Sequence, residues 1–204
     1  TPELKTAARQ SLGIPAHAVV VGSFQKDGSG WGDGLEPKYV KGPDILVKSL
    51  GILKKDIPEL FVLLTGPARG YVKKGLTDLG IPFKHNLLKS YSEIGRYFQA
   101  LDAYMISSRE EGGPKAVLES MISGVPLVST RCGQAIDLVQ DGHNGFLVEI
   151  EDTEALAKKT LQALALRGQE RTSILQSGLL TARANSYMGQ RDLWARFFKG
   201  YVEA

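Results

Sequence analysis

Residues 103–129 read AYMISSREEGGPKAVLESMISGVPLVS. An apolar run from Ala103 to Ile106 leads into a polar, glycine-bearing loop, then a helical stretch, then a second short run from Pro126 to Ser129. Runs that are apolar at successive positions bury both faces, as strands do in a parallel sheet covered on each side by helices. Pro114 suits a helix start because no N–H is wasted there, so a helix is expected over Pro114 to Ile122.

The same alternation extends outward in both directions. Ala18 to Phe24 and Leu60 to Thr65 read as buried strands, the second ended by Gly66-Pro67. Between them, Pro43 opens a helix whose inner face carries Ile45, Leu46, Ser49, Leu50 and Leu53. A helix over Ala68 to Leu79 stops at Gly80 and Pro82, and a short strand is expected around His85 to Leu88. Ser90 and Ser92 are candidate N-caps for a helix running to Leu101. Gly145 to Val148 makes a sixth strand, and residues 153–202 read as helical. Strand–helix alternation with right-handed crossovers gives an α/β fold, a doubly wound six-stranded parallel sheet of Rossmann-like type, in one domain over 1–204. Ligands in such folds collect at the carboxyl ends of the strands.

Composition narrows the function classes. The 204 residues are 43% hydrophobic and 23% charged, ordinary globular values that exclude disorder and coiled coil. One cysteine, Cys132, excludes an internal disulfide framework and fits a reducing, cytoplasmic setting. The net charge of +3 suits an anionic ligand or a membrane surface without requiring either. Leu60 to Leu64 is too short an apolar run to span a bilayer. The chain begins at Thr1 with no secretory signal, and is expected to derive from something longer. Basic residues are scattered without an aromatic ladder, which argues against nucleic acid.

Two loops are candidates for chemistry. Gln25 to Lys41 carries Gly28, Gly30, Gly32 and Gly34 but matches neither the dinucleotide fingerprint nor the P-loop pattern. Its length fits a functional element or a mobile flap equally. Lys41, just before the Gly42-Pro43 helix start, is either a solvated lysine or the partner of an anion held at that terminus. The second loop carries Glu110, Glu111, Gly112 and Gly113 and leads into a helix bearing Glu119. Glu111 and Glu119 are spaced to reach two ends of one ligand, and carboxylates suit the vicinal hydroxyls of a ribose or sugar. The alternative is a solvated surface, with Lys115 and Glu119 as an i,i+4 pair. His17, His85 and His143 have no metal-ligand spacing and no D-x-D pair occurs, so no metal cofactor is expected.

The stretch from Ser107 to Asp152 resembles the donor-binding, C-terminal half of family 4 glycosyltransferases, which have the two-domain GT-B fold. Glu111 and Glu119 hold that family's E-x7-E spacing, Gly124-Val125-Pro126 precedes the strand, and Asp141-Gly142 with Gly145-Phe146-Leu147-Val148 completes the pattern. Lys41-Gly42 is similar to its K-G pair, and Gly66 to its strand-two glycine. The resemblance implies a retaining, metal-independent transfer from a nucleotide sugar, a UDP- or GDP-sugar, to an acceptor held by an N-terminal domain absent from this chain. Peripheral association of the full protein with the inner face of the cell membrane belongs to the same expectation.

By that resemblance Glu119 binds the ribose hydroxyls and Glu111 the donor sugar or its phosphate end. Lys41 neutralises the diphosphate, and Lys41 and Glu111 carry the catalytic expectation. Amides from Gly113 through Pro114 to Lys115, with Gly112 beside them, meet sugar hydroxyls or phosphate oxygens, and the base lies near Leu88. Two departures stand out. Ser23 occupies the position of a diphosphate-pairing arginine, with Lys26 as the substitute cation, and E-G-G-P replaces E-G-F-G. A sugar-nucleotide epimerase of the same architecture and a non-catalytic nucleotide-binding module are the competing readings. The last helices, with Tyr187, Trp194, Phe197, Phe198 and Tyr201, are expected to leave some rings exposed.

Overall fold

The computed structural model describes residues 2–30 and 32–201. Six strands, β1 (Val19–Phe24), β2 (Leu60–Thr65), β3 (Phe83–Asn86), β4 (Ala103–Ile106), β5 (Leu127–Thr130) and β6 (Phe146–Val148), form one parallel sheet. Their order is β3-β2-β1-β4-β5-β6, so the winding reverses between β1 and β4. That reversal opens a crevice at the carboxyl ends of the two central strands. The doubly wound, Rossmann-like expectation holds.

Successive strand residues feed two separate cores, which is why the strands read as continuous apolar runs. Val20, Phe61 and Leu63 point into one with Phe98, Tyr104, Val117 and Leu127. Val21, Val62 and Leu64 point into the other with Leu46, Leu50, Leu76, Phe146 and Leu156. Helices α1 (Pro2–Leu12), α4 (Ile94–Gln99) and α5 (Ala116–Ile122) contribute to the first core. Helices α2 (Pro43–Asp56), α3 (Gly70–Asp78) and α7 (Thr153–Ala165) cover the second. Each fully buried aliphatic side chain stabilises the fold by about 1.5–3 kcal/mol relative to exposure.

Several boundaries differ from the sequence reading. Helix α1 was not legible, because only Ala8, Arg9 and Leu12 are buried and one of these is charged. Arg9 is held by the carbonyls of Ala18 and Ala100, both at 3.0 Å, and by Asp102. Strand β3 ends at Asn86, leaving Leu87 exposed and Leu88 half-buried in the following turn. The expected helix from Ser90 to Leu101 divides into a 3-10 turn, Tyr91–Glu93, and α4; Ser90 does cap, accepting from the Ser92 amide. Helix α5 begins at Ala116, two residues after Pro114, and a short α6 (Gln134–Leu138) follows β5. The C-terminal helical run divides into α7, α8 (Gly168–Ala184) and α9 (Tyr187–Phe197), and α9 buries none of its residues.

The long glycine-bearing loop is anchored along its described residues. Gly28 bridges Pro37 in antiparallel fashion, with Ser29 N–H donating to the Glu36 carbonyl at 2.8 Å. The Asp33 and Gly34 carbonyls accept from the amides of Gly70 and Tyr71, at 2.7 and 2.8 Å, and so satisfy the first donors of α3. Gly34 has φ +72°, and a Cβ there would meet the Ala68 carbonyl oxygen at 2.2 Å, so the docking requires glycine.

Candidate functional site

A cleft of about 630 Å³ opens at the carboxyl ends of β1, β2 and β4. That volume lies in the range of small-molecule sites. Its wall includes Lys41, Glu111, Lys115 and Glu119, together with Phe24, Leu88, Tyr91 and Pro114. Lys41 and Glu119, 78 positions apart in the chain, thus share one cavity. The two expected carboxylates and the expected ammonium group all face it.

Lys41 closes a 3-10 turn over Tyr39–Lys41, and Gly42 follows at φ +59° as the cap of α2. A Cβ at Gly42 would sit 1.8 Å from the Ser107 carbonyl oxygen, so only glycine lets the turn lie against the end of β4. Ser107 Oγ donates to the Gly42 carbonyl at 2.9 Å. The juxtaposition carries Lys41 Nζ to within 2.5 Å of Glu111 Oε2. Ser108 Oγ donates to the other Glu111 oxygen at 2.9 Å. From beneath, Gly133 supports the loop: at φ +48°, a Cβ there would meet the Glu111 carbonyl oxygen at 2.3 Å.

At the other end of the cleft, Glu119 accepts a hydrogen bond from the Tyr91 hydroxyl. Lys115 Nζ lies 5.5 Å from the Tyr91 ring centroid. Burial and then the Glu119 carboxylate push the Tyr91 phenol up to about 12, so it remains a donor at neutral pH. Gly112 and Gly113 have open space where a Cβ would stand, and Gly113 lines the cleft. No surrounding protein atom demands glycine at either position.

Three expected residues are not part of the cleft lining: Ser23, Lys26 and Gly112, the last of them exposed and next to lining residues in the chain. Ser23 is a correction: it is 2% exposed and turned into the wall, where its Oγ accepts from Arg69 Nη2 at 3.2 Å. Lys26 is half-buried and is not part of the cleft lining. The cation nearest Ser23 is Arg69, which sequence reasoning passed over because it lay inside a helical stretch. Its Nη1 donates to the carbonyls of Ser23, Thr65 and Gln25 at 2.7, 2.8 and 3.1 Å. Its Nε is 2.9 Å from Asp27 Oδ1 in poor alignment, and neither Asp27 oxygen has a well-aligned donor. Both side chains are fully buried, and burial pushes the Asp27 carboxyl up against the opposing pull of Arg69. His85 is structural, with Nε2 2.7 Å from the Gly66 carbonyl oxygen, and burial holds its imidazole below the usual value.

The family model for glycosyl transferases group 1 matches residues 36–178, which takes in Lys41, Glu111 and Glu119. The chain belongs to that family. A D-inositol 3-phosphate glycosyltransferase of Stackebrandtia nassauensis is 30% identical over 165 residues, covering 74% of this chain and 35% of the relative. The lipopolysaccharide core biosynthesis mannosyltransferase LpsB of Rhizobium meliloti is 26% identical, covering 83% of this chain and 50% of its own length. The chain therefore spans a third to a half of these curated relatives. Among solved structures, Anabaena Alr3699/HepE in complex with UDP and glucose superposes with a TM-score of 0.77 at 25% identity, over 98% of this chain and 53% of that one. The C-terminal domain of a group 1 family protein, LpcC, from Francisella tularensis superposes at 0.72 and 20% identity, over 89% of this chain and 92% of that one. The fold is that of the C-terminal half of a GT-B glycosyltransferase. Among the described residues no helix is long and apolar enough to cross a membrane.

Proposed function

We propose that this domain binds the donor of a glycosyl transfer, a nucleoside-diphosphate sugar with UDP or GDP as carrier, in the cleft between β1 and β4. The observation that carries the reading is the convergence of Lys41, Glu111 and Glu119 on one cavity at the winding reversal. Glu119 accepts from the ribose hydroxyls, and the apolar end around Leu88 receives the base. Lys41 meets the diphosphate. Glu111 and the Gly113–Lys115 backbone meet the sugar. As the anomeric C–O bond breaks, negative charge grows on the departing diphosphate, and a preorganised ammonium at that point lowers the barrier. The reaction is read as retaining and metal-independent, with the positive charge supplied by lysine.

The acceptor and the residues that bind it belong to a further domain of the whole protein. A cytoplasmic setting, with that protein at the inner face of the membrane, suits a lipid- or polysaccharide-directed transfer such as those for which the relatives are named. The reading is tested by calorimetry in chelator with UDP, GDP and uridine. Lys41→Ala should lose about tenfold or more in UDP affinity, as for one charge-assisted hydrogen bond, and leave uridine unchanged. Glu119→Ala should weaken both ligands. Binding of UDP that is indifferent to both substitutions would overturn the assignment.

A further inference from the structure

Arg109 lies two residues before Glu111, yet it is not part of the cleft lining. Its guanidinium is aimed away from the cleft and back at the turn that carries Lys41. Nη1 donates to the Tyr39 carbonyl at 2.6 Å and to Asp44 Oδ1 at 2.9 Å. Nη2 donates to Asp44 Oδ2 at 2.8 Å and to Glu151 Oε2 at 2.9 Å, and Nε donates to the remaining Glu151 oxygen. These five bonds use all five N–H donors of the guanidinium. Arg109 has nothing left for a ligand.

The partners bracket Lys41. Tyr39 precedes it by two residues, and Asp44 follows it by three in the first turn of α2. The Arg109 and Glu110 amides both donate to the Val40 carbonyl, at 2.8 and 3.2 Å. One arginine thus ties the turn bearing Lys41 to the loop bearing Glu111, while Glu151 fixes the tie to the β6–α7 connection. Glu151 itself adopts φ +72°, uncommon for a residue with a side chain, and its carboxylate is turned onto Arg109. The fork geometry is one that lysine cannot reproduce.

We propose that Arg109 is a positioning residue for the donor site, which acts through Lys41 by fixing where its ammonium stands relative to the diphosphate and Glu111. This rests on the donor reading above and assigns a role that the cleft lining does not disclose. A misplacement of the charge by an ångström is enough to weaken a contact that a nucleoside lacking phosphates never makes.

The test compares UDP with uridine, by calorimetry and by NMR titration, for Arg109→Ala, Arg109→Lys, Asp44→Asn and Lys41→Ala of the 204-residue chain. Arg109→Ala should lose about tenfold for UDP, the scale of one charged hydrogen bond, and leave uridine within about twofold. Arg109→Lys should recover part of the loss. Asp44→Asn, which leaves the arginine in place, should reproduce the pattern more weakly if Arg109→Ala does not fold. Parallel weakening of UDP and uridine, or no change in either for a folded variant, would overturn the proposal. If Lys41→Ala costs UDP affinity and the Arg109 variants do not, the positioning role fails and the donor reading stands. If Lys41→Ala leaves UDP binding untouched, the donor reading fails and the proposal falls with it.

Discussion

Two arginines stand behind the same rim of the sheet and solve opposite problems. Arg69, between the ends of β1 and β2, is fully buried and faces an equally buried Asp27 whose oxygens have no well-aligned donor. Arg109, beyond the end of β4, keeps 23% of its side chain exposed and satisfies every N–H on two carboxylates and a carbonyl. Burying an ion pair costs several kcal/mol per ion before any attraction is counted. The Arg69 pair therefore holds architecture together under electrostatic load, clasping the glycine loop to α3. The Arg109 pair carries little such load, and its neighbours are the ligand-facing residues. A charged network beside a cleft is free to organise a site when its own hydrogen bonds are complete.

The comparison breaks most visibly at Asp27. Asp27→Ala leaves the Arg69 guanidinium buried without its counter-charge, and a loss of about 3–5 kcal/mol in unfolding free energy is expected. Urea denaturation of the chain measures it. Asp44→Asn removes a carboxylate that is only partly buried, and should cost distinctly less while changing UDP affinity more. If the two substitutions cost the same stability, the division between an architectural and an organising arginine is wrong.

Much of this division was illegible in the sequence. The strands were legible because β1, β2 and β4 are apolar on both faces, and that pattern has few other uses. Glu111 and Lys41 stood out because each sits beside a glycine shortly before a helix, and Glu119 because of its eight-residue spacing from Glu111 along the helix that follows. Ser23 misled because a residue near the end of a strand can face either side of the sheet, and Ser23, inside β1, is buried with its hydroxyl on Arg69. Arg69, Arg109 and Tyr91 were passed over for a common reason: their roles depend on partners 42, 65 and 28 residues distant, in the cases of Asp27, Asp44 and Glu119. Local periodicity contains no such information. Gly133 left a faint signal as a glycine after β5, but what it accommodates is the Glu111 backbone from a different loop.

A smaller effect sharpens the Arg109 side. The Lys41 ammonium is engaged by Glu111, so a diphosphate arriving there competes with a carboxylate and is repelled by it. Glu111→Gln removes both obstacles. UDP should bind about fivefold more tightly, in keeping with on the order of 1 kcal/mol for a partly exposed charge pair. The same variant should lose the extra affinity that a UDP-sugar has over UDP, because the amide is a poorer acceptor for sugar hydroxyls. Weaker UDP binding by Glu111→Gln would mean that Glu111 holds Lys41 in place rather than competing for it.

The smallest effect distinguishes the two regions by pH. His85 lies on the Arg69 side, and burial, with Arg69 and Lys73 adding to it, holds its folded value below the ordinary 6.5. A depressed folded value means that the folded state binds fewer protons than the unfolded one. The stability it contributes is complete above 6.5 and is lost as pH falls from there through the folded value. Asp44, on the Arg109 side, is held below the ordinary 3.8 chiefly by its hydrogen bonds from Arg109. Its contribution has the same sign but a lower window, intact above 3.8 and lost beneath it. Asp27, pushed up by burial, has the opposite sign and partly offsets the acid loss on its own side. Melting temperatures between pH 8 and pH 5 should therefore fall less for His85→Gln than for the unsubstituted chain. The deficit of Asp44→Asn should stay constant over that range and close only below 3.8. A deficit of Asp44→Asn that already closes near pH 6 would show the Arg109 pair to be strained, and with it the contrast between the two arginines would disappear.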